Sequence, residues 1–136
     1  MDNLIWTRIN RYFSLQEKWG EPQKISGMLL MILYDLRFYS GWPIIIHCGT
    51  QGEHCKKSYH YKGLAVDFHF KTPNGSVTYH NQVKYLLEYL EDMQLADFVG
   101  LGSYPHWNSP GFHLDVRGHK ARWKRNKKGE YVEWDG

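Results

Sequence analysis

From Leu64 to Phe70 the side chains alternate. Leu64, Val66, Phe68 and Phe70 fall on one side, and Ala65, Asp67 and His69 on the other. This alternation is the mark of a β-strand with one apolar face and one polar face. Other segments are assigned around it. Leu29, Ile32, Leu33 and Leu36 recur at helical spacing from about Ser26, and Gly41 reads as the helix stop. An earlier amphipathic segment runs from Leu4 to Trp19 and ends at Gly20-Glu21-Pro22. Trp42 to His47, β-branched and bounded by Gly and Pro, reads as a buried strand. Cys48 to Lys62 is a polar loop, and Pro73-Asn74-Gly75 a turn. Tyr79 to Gln94 is predicted as a helix with Val83, Leu86, Leu87, Leu90 and Met93 on one face. A glycine-rich stretch, Gly100 to Tyr104, leads to Pro105 and Pro110, and Gly111 to Val116 reads as another strand. The tail after Gly118 reads as irregular, with room for a small hairpin around Gly129. This order predicts an α+β fold. With no repeat or linker, residues 1–136 form a single expected domain and a monomer, with a basic tail from about residue 124.

A chain of 136 residues, 42% apolar and 23% charged, can close one modest core. Its six Trp and ten Tyr suit core filling, or a groove that packs against sugar or peptide. The net charge of +3 tolerates an anionic partner without demanding nucleic acid. The excess lies late in the chain, in Arg117, Lys120, Arg122, Lys124, Arg125, Lys127 and Lys128, as a solvated face or as an adhesive for an acidic polymer. No apolar run approaches the ~20 residues of a membrane span. No signal peptide is visible, so synthesis as a soluble cytoplasmic chain is expected. Cys48 and Cys55 are too few for a disulfide framework, which leaves reduced thiols or one short-loop bridge.

Eight His stand in the chain, and two segments combine His with Asp. One is Ser58-Tyr59-His60-Tyr61-Lys62-Gly63-Leu64-Ala65-Val66-Asp67. The other is Gly111-Phe112-His113-Leu114-Asp115-Val116-Arg117. Imidazole and carboxylate are ligands of hydrolytic zinc sites, in which three protein ligands leave a fourth position for water of pKa near ~7. Gly63 permits a tight turn between His60 and Asp67. His113 and Asp115 are two apart on a strand and share a face. Such spacing also fits ordinary surface hydrogen bonds, so it leaves both readings open. His69, two residues after Asp67, either lines the same site or lies on the surface. His47, Cys48, His54 and Cys55 form a second group of soft ligands, at intervals unlike those of common zinc knuckles.

The pattern carried by Ser58, His60, Gly63, Ala65 and Asp67 resembles the first zinc motif of the D-Ala-D-Ala carboxypeptidase family of zinc peptidases. Gly111 to Arg117, followed by Ala121-Arg122-Trp123, resembles the second motif in the family's short subgroup. Gly100-Leu101-Gly102-Ser103-Tyr104-Pro105 and Gly41-Trp42-Pro43-Ile44-Ile45-Ile46 fit that subgroup too. The resemblance spans about Phe13 to Trp123. It implies zinc on His60, Asp67 and His113. It implies a hedgehog-like fold, with a small antiparallel sheet carrying the metal and helices packed on one side. It also implies hydrolysis of a peptide bond in the stem or cross-link peptides of bacterial peptidoglycan. Together with the small size, it suggests a phage or prophage lysis enzyme that reaches the cell wall after release.

Two positions depart from the family pattern. Many relatives carry an acidic residue or His three positions before the last zinc histidine as general base, and here that residue is Pro110. An arginine common after the first strand is replaced within Cys48-Gly49-Thr50-Gln51. The candidates for the base are His106, a loop imidazole, and Asp115, whose other role is to orient a ligand or pair with Arg117. Gln51, Arg117 or Arg122 could contact the substrate or the oxyanion. Two rival readings are a zinc-containing wall-binding or virion module without activity, and a nucleic-acid-binding protein with a structural zinc, which would show salt-sensitive DNA binding.

Overall fold

The structure, a computed structural model, describes residues 3–51, 58–73 and 77–136. His54, Cys55 and the Asn74-Gly75 part of the expected turn lie outside the described residues. Helix α1 covers Asn3–Ile9, and a single 3₁₀ turn covers Pro22–Lys24. Helix α2 covers Gly27–Ser40, and strands β1 and β2 cover Ile44–Cys48 and Ala65–Phe70. Helix α3 covers Tyr79–Asp92. Strands β3 to β6 cover Gly100–Tyr104, Gly111–Asp115, Ala121–Arg125 and Tyr131–Glu133. No described helix is long and apolar enough to cross a membrane.

Local chemistry sets the helix ends. The Ser26 hydroxyl accepts from the Leu29 amide at 3.4 Å, and Gly41 closes α2 at φ 72°. Thr78 caps α3 by accepting from Asn81. Leu86 and Leu90 are buried as expected, whereas Met93 lies beyond the helix and is exposed. The first amphipathic segment is helical only to Ile9. Further on, the Ser14 amide donates to the Glu17 carboxylate, and the Gln16 amide to the Ser14 hydroxyl. These side-chain bonds offer the backbone an alternative to the helix ladder.

The strands form one sheet in the order β1-β2-β4-β3-β5-β6. It is mixed, not antiparallel as expected, because β3 and β5 run parallel. Strand β4 lies between β2 and β3 and is antiparallel to both. The chain leaving β4 therefore comes back at the free edge of β3, running in the direction of β3. The glycine-rich stretch is strand β3, and the tail after Gly118, expected as irregular with room for a hairpin around Gly129, forms β5 and β6, an antiparallel pair joined through Gly129. Residues that need no apolar periodicity are strands here because the sheet supplies their ladder bonds.

Ile44, Ile46, Val66, Phe68, Phe70, Leu101, Phe112 and Leu114 make the apolar face. They share one core with Leu29, Leu33 and Leu36 of α2, Leu86 and Leu90 of α3, and the buried Trp19. The opposite face is left for polar chemistry.

Candidate metal centre

One transverse row of the sheet carries the site. Cys48 pairs with Asp67, Asp67 with His113, His113 with Gly102, and Gly102 with Trp123. Directly paired residues project to the same side, so all of these face away from the core. The register shifts between Ile46 and Cys48, and this bulge sets Cys48 opposite Asp67 in place of His47. Gly102 has a spatial reason: a Cβ there would lie 2.5 Å from the Trp123 indole nitrogen. Without that Cβ, the Trp123 ring reaches a centroid distance of 4.9 Å from His113.

His60 enters from the loop before β2. Gly63, at φ 72°, turns the chain behind it, where a Cβ would collide with the Lys24 carbonyl. This confirms the tight turn expected of Gly63.

His60 Nε2 lies 3.3 Å from Asp67 Oδ1, and His113 Nδ1 lies 3.1 Å from the same oxygen. The far nitrogens are engaged. His60 Nδ1 donates to the Gly49 carbonyl at 2.9 Å, and His113 Nε2 donates to Asp115 Oδ2 at 2.7 Å. In the neutral rings, His60 Nε2 and His113 Nδ1 therefore present bare lone pairs to a carboxylate oxygen. That arrangement is repulsive until a positive charge, a proton or a metal ion, lies among the three atoms. Burial pushes the Asp67 carboxyl up, but the bonds and charges of His113 and His60 outweigh it and hold the group well below the usual carboxylate range. Burial lowers His113, and its bonds to Asp115 and Asp67 raise it more.

The sequence grouped Cys48 with His47, His54 and Cys55, apart from His60 and Asp67. Cys48, His60 and Asp67 bring one donor atom each within 4.8 Å of one another, a group that could hold a metal ion. The Cys48 thiol lies 3.8 Å from His60 Nδ1, the nitrogen that binds the Gly49 carbonyl. Burial and the charge of Asp67 push this thiol up to about 12. His60, Asp67 and His113 line a cavity of about 540 Å³, and Cys48 does not. The signal for Cys48 was its place at the end of β1, but only the bulge reveals that it faces Asp67.

No protein-family model, curated protein or solved structure matches this chain.

The remaining candidates divide. Arg117 lines the cavity, locked to Asp115 through Nε at 2.8 Å and Nη2 at 2.7 Å. Asp115 is fully buried. Its oxygens accept from His113, Arg117 and the Gly100 amide. Burial raises its carboxyl, and Arg117 and His113 more than reverse that. So committed, Asp115 orients His113 and has no lone pair to spare as a base. His106 is exposed and borders a neighbouring cavity rather than the one lined by His60, Asp67 and His113. The Gln51 amide is committed to backbone, accepting from Gly49 and donating to Lys18, and Gln51 does not line the cavity. Arg122 is also structural, with its guanidinium bound to the carbonyls of Val99, Ala121 and Ala96. His69 pairs with His47 across β1 and β2, and His47 packs on Trp107.

Proposed function

We propose that this protein is a zinc-dependent peptidase of the D-Ala-D-Ala carboxypeptidase type, with a hedgehog-like fold, acting on peptidoglycan stem or cross-link peptides after release to the cell wall. The observation that carries this reading is the pair of imidazole nitrogens 3.1 and 3.3 Å from one carboxylate oxygen, on three residues that line one cavity. His60, Asp67 and His113 would hold the ion. The nitrogen–oxygen–nitrogen set suits zinc and leaves a position open. Bound there, zinc supplies Lewis-acid polarisation of a carbonyl and acidifies water at neutral pH.

The chain's own groups do the rest. The Gly49 carbonyl and Asp115 fix the ring orientations before a ligand arrives. Arg117 neutralises Asp115 and lies against the Tyr59 and Trp123 rings, with Nη1 left outside the ion pair. It is placed to bind negative charge that develops on a substrate oxygen. Tyr104, Trp107 and Trp123 give a peptide an aromatic wall to pack on.

Protein purified without added metal is expected to hold one zinc per chain by elemental analysis. His60→Ala and His113→Ala are expected to lose both the metal and muropeptide hydrolysis, followed by mass spectrometry, while the helical circular dichroism persists. Near-normal hydrolysis in either variant rejects this ligand set.

A second reading, a metal-containing wall-binding module with impaired activity, is favoured by one observation. Among the described residues lining the cavity, no carboxylate or imidazole remains beyond the proposed ligands. Wall binding by a zinc-loaded chain that releases no muropeptide fragments would select it.

A further inference from the structure

The metal cavity does not end at the aromatic wall. A second cavity, of about 210 Å³, adjoins it, and Tyr104, Trp107 and Arg125 line both. The remaining charged residue of this second space is Lys127.

The charges around the two cavities balance unevenly. Asp67 is matched by two histidines, and Arg117 by Asp115. The Arg125 guanidinium lies 5.2 Å over the Tyr131 ring, and its Nε donates only to the Gly129 carbonyl at 3.2 Å. Among the described residues no carboxylate pairs with Arg125 or Lys127. Asn126 cannot serve them, since its amide is tied to Lys128 and Glu130. A concave space with an aromatic floor and two unmatched cations is chemistry for a carboxylate attached to an apolar or peptide stem.

Position along the strand sets the reach. Arg125 is two residues after Trp123 on the same face of β5, roughly 7 Å further along. Trp123 packs on His113. A carboxylate held by Arg125 therefore belongs to a group one or two residues from the bond at the metal.

We propose that the cavity of Arg125, Lys127, Tyr104 and Trp107 is a specificity subsite that reads a free carboxylate on the substrate peptide next to the bond acted on. This rests on the peptidase reading for the identity of the substrate, but its test has a separate readout. Two peptides serve as probes, each with its C-terminus as the carboxamide: L-alanyl-γ-D-glutamyl-L-lysyl-D-alanine amide, and the same peptide with the glutamyl α-carboxylate also converted to the carboxamide. Stopped-flow tryptophan fluorescence of the zinc-loaded full chain measures affinity before turnover, and mass spectrometry of the same mixtures measures hydrolysis.

The glutamyl acid is expected to bind at least about tenfold tighter than the glutamyl amide, a preference that weakens as salt rises. In Arg125→Gln with Lys127→Gln the ratio should fall to near one. Arg125→Lys should keep part of the preference, and Lys120→Gln, a cation elsewhere on the surface, all of it. Equal affinities in the unaltered chain, an unchanged ratio in the double variant, or the same loss in Lys120→Gln would each overturn the subsite, as would failure of both peptides to bind. Hydrolysis without acid preference would remove the subsite and leave the peptidase standing. Acid-selective binding without hydrolysis would do the reverse.

Discussion

Asp115 has no exposed surface, and burial raises its carboxyl, yet it is held below the usual carboxylate range because Arg117 grips both of its oxygens and His113 donates to one of them. Gly100 makes this possible, since a Cβ there would sit 2.5 Å from Asp115 Oδ2. Two outcomes follow at the level of single residues. Asp115→Asn keeps the shape but weakens the hold on the His113 ring. Zinc affinity is expected to fall about 10–100-fold, as partners of metal-binding histidines usually show, and competition against a chromophoric chelator would measure it. An unchanged affinity would mean that Asp115 serves only the fold. Arg117→Met leaves a buried carboxylate without its cation. The expected loss of stability is about 3 kcal/mol, near the lower end for a broken buried pair because Arg117 keeps some contact with solvent. Urea unfolding would report it as a lower midpoint.

The strands β5 and β6 are where elements and function meet. Arg122 clamps β5 to the chain entering β3, through the carbonyls of Val99 and Ala96. Arg122→Met would remove these charge-assisted bonds, although the Val99 carbonyl keeps the Ala121 amide as a donor, at an expected cost of about 1–3 kcal/mol. Chemical denaturation of the variant would show it, and an unchanged midpoint would place the clamp outside the energetics of the fold. The tail beyond Trp123 supplies the end of β5, all of β6, and Trp134, which packs against the core. Cutting the chain after Trp123 is thus expected to lower the melting temperature, not merely to weaken adhesion to anionic walls. A truncated chain that melts normally but loses salt-sensitive wall binding would restore the simple adhesive role.

At the scale of the whole molecule, a metal that binds only the folded state shifts its stability by mass action. Free zinc at a hundredfold excess over its dissociation constant should add about 2.7 kcal/mol. A chelator is therefore expected to lower the melting temperature of the intact chain and to leave His60→Ala unmoved. A scan insensitive to both zinc and chelator would contradict a site built from a loop, β2 and β4 together. The same three-part construction explains the two-faced sheet. One face is filled by α2, α3 and Trp19, and the other is free to display a row of donors.

The alternation around Asp67, the helical spacing of Leu29 to Leu36, the stop at Gly41 and the turn at Gly63 were all legible in the sequence. Each is a local choice, set by periodicity or by a backbone angle that one residue type tolerates best. His60, Asp67 and His113 were legible as a ligand set only through the resemblance of their segments to two zinc motifs, since their spacing fits surface hydrogen bonds as well. Their meeting on one oxygen was not, since it depends on the pairing of β2 with β4. Nor could the sequence show that Cys48 would face Asp67, that Asp115 would be spent on Arg117 and His113, or that Gly100 and Gly102 would be strand residues that make room for their neighbours. Those outcomes come from register, a bulge and a parallel return at the edge of β3. They are fixed by contacts between segments far apart in the chain, which no local pattern encodes.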